Sequence, residues 1–128
     1  MGRRFSFNYD AAGSLIRLFG LGERSSWISI SPHELHVHMG WAFDVTIPRG
    51  AIIRAERVQS PQGFGSMLIG WGVHTNFNGT WYVNGSQTNL VRVDLLQSVR
   101  GRSIFIPVGI STLYLSPDDP DEFVAALR

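Results

Sequence analysis

Glu34-Leu35-His36-Val37-His38-Met39-Gly40-Trp41, followed by Ala42-Phe43-Asp44-Val45-Thr46-Ile47-Pro48, is the stretch that decides the fold class. Leu35, Val37, Met39 and Trp41 share one parity, and Glu34, His36 and His38 share the other. Phe43, Val45 and Ile47 then alternate with Asp44 and Thr46. Side chains leave a strand on alternate faces, so a period of two buries one face and wets the other. Gly40 between the two runs marks a tight hairpin. Pro48 stops the second run, because it cannot donate to a ladder.

The rhythm continues on both sides. Residues 51–58 read as a strand with Ile53 and Ala55 inward and Arg54 and Glu56 outward. Residues 60–66 are a loop by composition. Met67, Ile69, Trp71 and Val73 alternate with Leu68, Gly70, Gly72 and His74. Asn78-Gly79 supplies positive φ for a two-residue turn joining strand 67–75 to strand 80–83, and Asn84-Gly85 opens another turn. Val91, Val93 and Leu95 alternate with Arg92 and Asp94. Arg100-Gly101-Arg102 reads as a turn tip, after which Ile104 and Ile106 resume a strand until Pro107. Leu113 and Leu115 alternate with Thr112 and Tyr114.

Two segments break this rhythm. In residues 10–19, Ala12, Leu15, Ile16 and Phe19 recur at helical spacing between Asp10 and Gly20, which predicts a short helix. At the other end, Asp119 is placed as N-cap, Pro120 at the first helical position and Glu122 at the third. Phe123, Val124 and Leu127 form the apolar stripe of that helix. The expected fold is mainly β: a small antiparallel barrel of about seven strands, side-chain-filled and capped by a C-terminal helix. It is one domain, with residues 1–25 as an N-terminal extension, 26–116 as strands and 117–128 as the capping helix.

Composition narrows the chemistry. The chain has 128 residues, 44% apolar and 16% charged, which suits one globular domain. No run of 18 apolar residues occurs, so no transmembrane segment is expected. There is no cysteine, which removes disulfides, thiolate nucleophiles, zinc fingers and iron–sulfur clusters. All eleven basic residues are arginine, so Schiff-base and P-loop lysines are absent too. That bias fits a GC-rich bacterial genome better than a binding requirement. The net charge of +1 gives no case for nucleic acid. Residues 118–128 carry −3 and the preceding part +4, as expected of a capped acidic helix end beside a mildly basic body. Gly2 with Ser6 fits a loose N-myristoylation pattern, and Arg3-Arg4 fits the charged start of an export signal. Asn8, Asp10 and Arg17 interrupt any apolar stretch after them, so an ordinary cytoplasmic start is expected.

Several of these segments resemble bacterial pleckstrin-homology-like domains. Trp27-Ile28-Ser29-Ile30 followed by Glu34-Leu35-His36-Val37 and Gly40 is similar to their opening strands. Ile47-Pro48-Arg49 before Ile52 resembles their next step. Leu113-Tyr114-Leu115-Ser116-Pro117-Asp118-Asp119-Pro120, leading into Phe123-Val124-Ala125-Ala126-Leu127, looks like their last strand and capping helix. The likeness covers residues 26–127 and its motifs are structural. It implies a protein-binding or assembly module with no catalytic residues. Relatives that bind phosphoinositides use clustered basic residues in the first hairpin. Glu23-Arg24-Ser25-Ser26 has one arginine beside one glutamate, so phosphoinositide binding is not expected here.

Candidate site residues follow from chemistry. His36 and His38 point the same way on a strand, as metal ligands must, with His33 or His74 as a third ligand and Glu34 on the same face. Against this stands a solvated strand face carrying imidazoles, and no metal or other cofactor is expected. Trp41, Trp71 and Trp81 follow the apolar register and are assigned to the core. Phe64 and Phe77, in or beside loops, are the aromatics expected to face a partner, with His74 nearby. Arg100 and Arg102 on one tip are candidates for an anion contact; the remaining arginines read as solubility and surface pairing. Asp44 and Asp94, on outer faces, have no partner by sequence. No nucleophile elbow or phosphate-binding glycine motif is present.

The expected function is a non-catalytic module that binds a protein partner or self-associates, through a sheet edge or through the 60–66 and 74–80 loops. One alternative is a barrel holding an apolar ligand such as a lipid. Another is a metal-assisted enzyme using His36 and His38.

Overall fold

The structure, a computed structural model, describes residues 2–7, 22, 24–58, 72–75, 79–84, 90–103 and 106–127, with residues 72–75 and 84 described by their backbone. Nine strands and one helix are present among them: β1 (Arg3–Phe5), β2 (Ser26–Ile30), β3 (Glu34–Met39), β4 (Phe43–Pro48), β5 (Ile52–Val58), β6 (Gly72–Thr75), β7 (Thr80–Asn84), β8 (Leu90–Ser103), β9 (Ile106–Leu115) and α1 (Pro120–Ala126). A 3-10 turn over Arg49–Ala51 joins β4 to β5.

The strand order is β1-β2-β3-β4-β8-β9-β7-β6, with β5 beside β8. β2, β3 and β4 form an antiparallel meander in which Ile28, Val37 and Val45 are register partners. All three are buried, so the alternation read along each strand is also a row across the sheet. Gly40 makes the β3–β4 turn at φ 47.

The 14-residue strand β8 organises the molecule. Its first half lies between β5 and β9, and its far half runs between β9 and β4. Between Asp94 and Val99 its register against β9 shifts, so that β8 carries three more residues than its partner. Such a bulge bends a strand and steepens its twist. One strand therefore serves two parts of the sheet, which wraps around a core containing Phe43, Leu113, Leu115, Ile110 and Val93.

α1 closes against this core as expected. The Asp119 carboxylate accepts the Glu122 N–H at 3.2 Å, with Pro120 in the first turn. Phe123 is fully buried and meets the Phe5 ring edge-on, with centroids 5.5 Å apart. Arg3 pairs with Glu122 and Arg57 with Asp121 at 3.0 Å, so α1 is tied to both β1 and β5.

The structure corrects several expectations. Among the described residues the sheet does not close into a barrel: β1 and β6 end the strand order and do not pair with each other. There are nine described strands rather than about seven, and β1 brings part of the supposed N-terminal extension into the sheet, with Phe5 and Phe7 in the core. β7 and β9 run parallel. Both edges of β8 are taken by β5, β9 and β4, and β7 adds to the other edge of β9.

Arg100-Gly101-Arg102 is not a turn tip but the interior of β8, paired with Gly109, Val108 and Pro107. Glycine is needed there for closeness, not for turning: a Cβ would lie 2.7 Å from Ile110 Cδ1 and 2.9 Å from Val45 Cβ. β9 likewise continues through Pro107, with Ile106 on its outside. Ile53 is 60% exposed instead of inward, because β5 carries one extra residue between Ile52 and Arg54, which breaks the alternation there. Trp41 is 51% exposed, since it sits on the turn after β3 has ended. Trp81 is buried as expected, its indole N–H donating to the Gly109 carbonyl at 3.1 Å. The helix expected over 10–19, the loop 60–66, Met67, Ile69, Trp71 and Asn78 lie outside the described residues.

Candidate functional site

The outer face of the β2–β3–β4 meander carries the polar half of the alternation. His36 and His38 stand two apart on β3, and Asp44 on β4 is the register partner of His38. His36 Nε2 lies 2.7 Å and His38 Nδ1 2.9 Å from the same atom, Asp44 Oδ1. A carboxylate only accepts, so both imidazoles donate to it. That puts a proton on Nε2 of His36 and on Nδ1 of His38. Burial pushes the Asp44 carboxyl up, but the hydrogen bonds from His36 and His38 together with the electrostatic attraction of the same two side chains outweigh this, and its pKa falls below the ordinary carboxylate value.

The cluster is half-buried and braced. The Trp27 ring stacks on His38 with centroids 4.4 Å apart and an interplanar angle of 29°, and meets His36 edge-on at 6.2 Å. The Arg4 guanidinium in turn lies 4.4 Å from the Trp27 ring centroid. Among the described residues, His36, His38 and Asp44 are the group whose potential metal-ligand atoms come within 4.8 Å of one another. Asp44, expected to be unpaired, is thus the third member. Its signal was present in the hairpin: counting outward from the turn at Gly40 places it opposite His38.

The other proposed third ligands do not join. His33 is an exposed residue of the β2–β3 turn. His74 lies on β6, opposite Tyr82, with four strands between it and β3 in the sheet order. Glu34 is exposed and faces Pro48. Phe64 and Phe77 lie outside the described residues. Arg102 stands directly across from Asp44 on β8, and Arg100 follows on the same face. Arg100 lines a shallow depression of about 330 Å³ with Ser98, Pro107, Val108 and Gly109.

Asp94, also expected to be unpaired, is a hub. Its carboxylate accepts from Arg92 at 2.9 Å and from Arg54 at 3.2 Å, and lies within 3.5 Å of the Thr112 hydroxyl. Arg92 lies over the Tyr114 ring, which stacks on Tyr82 with centroids 4.5 Å apart. Burial first, and then the neighbouring Tyr114, raise the Tyr82 phenol above its ordinary pKa. These contacts form a brace across β5, β8, β9 and β7.

A further feature was not legible in the sequence. A trough of about 460 Å³ runs between β5 and α1, lined by Ile52, Ile53, Arg54, Ala55, Glu56, Val124 and Leu127. Five consecutive strand residues line it. One face of a strand would contribute only alternate residues, so it is the edge of β5 that looks into the trough. Among the described residues β5 pairs with β8 alone.

No family model matches the chain, and no curated protein or solved structure matches it.

Proposed function

We propose that this chain is a non-catalytic, pleckstrin-homology-like binding module that takes an extended segment of a protein partner along β5, beside α1. The observation that carries this reading is the trough between β5 and α1, with consecutive residues 52–56 on one wall and Val124 and Leu127 on the other. A strand edge offers unpaired N–H and C=O groups on alternate residues, and an added strand satisfies them. Main-chain bonds then supply affinity, while Val124, Leu127 and Ala55 select an apolar side chain on the incoming segment. Ile53, 60% exposed at the β5 bulge, adds apolar surface beside the trough.

The reading in which a barrel holds a lipid ranks lower. The described interior is occupied by fully buried side chains, including Phe43, Phe123, Leu113, Ile110 and Met39.

The test is a peptide-display selection against the whole chain, with the selected peptides mapped by NMR. Amide shifts are expected at residues 52–56 and 124–127, together with slowed amide exchange along β5. Ile53→Asp and Leu127→Glu should each weaken binding by about tenfold, the size of a lost apolar contact. Peptides that map to another surface, or a selection without binders, would remove the proposal.

A further inference from the structure

We infer that His36, His38 and Asp44 form a binding site for a divalent transition-metal ion of the zinc class. The inference is independent of the trough, since it rests on β3 and β4 rather than on β5 and α1.

The donor set comes first. Two imidazoles and one carboxylate are borderline ligands suited to zinc, nickel, cobalt or iron(II), and poorly suited to calcium or magnesium. Geometry comes second. His36 Nε2 and His38 Nδ1 converge on the single atom Asp44 Oδ1, at 2.7 and 2.9 Å. Zinc–ligand bonds of about 2.0–2.2 Å in a tetrahedral arrangement separate neighbouring ligand atoms by about 3.3 Å. Each imidazole nitrogen therefore needs to part from Asp44 Oδ1 by only about half an ångström to admit an ion, and all three ligand atoms lie within 4.8 Å of one another on two adjacent, hydrogen-bonded strands.

Proton balance is also favourable. Each imidazole can carry its proton on the other ring nitrogen, Nδ1 of His36 and Nε2 of His38, which frees the lone pair facing Asp44 for the ion. Asp44 is already the acceptor of two hydrogen bonds and needs no deprotonation. A site with two neutral imidazoles and one carboxylate leaves a divalent ion with one net positive charge and at least one coordination position for water or an anion.

Third, ring orientation is held from outside the ligand set. Trp27 stacks on His38 and meets His36 edge-on, with Arg4 over Trp27. Such supporting contacts lower the cost of ordering the ligands. Arg102, across from Asp44, is the opposing influence, a cation on the same face.

Isothermal titration of the full chain with Zn²⁺, with Mg²⁺ and Ca²⁺ as comparison ions, is the test. One Zn²⁺ per chain is expected, with no binding of the other two ions in the same concentration range. His36→Gln, His38→Gln and Asp44→Asn should each weaken Zn²⁺ binding at least about tenfold, with folding checked by circular dichroism. His33→Ala should leave binding unchanged, and Arg102→Ala should leave it equal or tighten it. Titration of the Co²⁺ form should give visible bands that the Asp44→Asn variant loses. Absence of stoichiometric Zn²⁺ binding in the unsubstituted chain overturns the inference. So does binding that survives Asp44→Asn but is lost in His33→Ala, which would place the ion on scattered exposed histidines.

Discussion

Gly101 shows how much one side chain can mean in this sheet. A Cβ at that position would stand 3.0 Å from the Asp44 carbonyl oxygen and closer still to Ile110 and Val45. Two of these neighbours are buried core residues and the third contact is backbone, so none can swing away as the end of a flexible chain would. Gly101→Ala should therefore destabilise the fold by about 1–3 kcal/mol, as overpacking does, measured by urea unfolding. An unchanged midpoint would show that β4 and β8 are further apart than described. Tyr82 offers a pH signature. Its phenol is raised above the ordinary tyrosine value of about 10. A raised acid contributes stability that is complete below the unfolded-state value and is lost as pH rises through the folded-state value. Unfolding midpoints should thus fall above about pH 10, and Tyr82→Phe should remove part of that fall. An ultraviolet titration should lose a tyrosine step above about pH 10 in the same variant. The polar partners of this face were only half legible. The alternation placed His36, His38, Asp44 and Asp94 outside, but partnership depends on which strand lies alongside. For Asp94 that involves β5 and β9, residues 40 and 18 positions away.

At the scale of elements, legibility follows locality. α1 was readable because its signals are local: a cap, a proline in the first turn and an apolar stripe. Replacing Asp119 with Ala should cost about 1 kcal/mol, since the Glu122 N–H loses its acceptor. The expected readout is a lower thermal midpoint with no change in the folded-state circular dichroism. β3 and β4 were readable for the same reason, a short turn between two clean alternations. β5 was misread at Ile53 because it contains a bulge between Ile52 and Arg54. An extra residue breaks the alternation where it sits, leaving Ile52 and Ala55 against the core and Ile53 outside, and it exists only in relation to a partner strand. Gly101 was taken for a turn since glycine serves turns and close approaches alike, and residue type does not distinguish them.

Across the whole molecule, α1 is the clasp between the first strand and β5. Phe123 fills the space beneath it, against Phe5. Phe123→Ala should cost about 3–5 kcal/mol, a large part of the roughly 5–15 kcal/mol available to a domain. Equilibrium unfolding in guanidinium should show that loss, and near-ultraviolet circular dichroism should show looser packing around the aromatic core. A cost below about 1 kcal/mol would mean that the helix lies on the core without sealing it. Alternation, proline, glycine and capping residues were enough to establish a mainly β chain with a terminal amphipathic helix and a polar face bearing two histidines. Those features depend on neighbours within a few residues, and the physics of the strand and the helix acts at that range. The open sheet, the parallel β7–β9 pair, the third member of the histidine cluster and the trough beside β5 depend on which distant strand occupies which edge. That choice is made by the collective burial of the core, and no single stretch of sequence carries it.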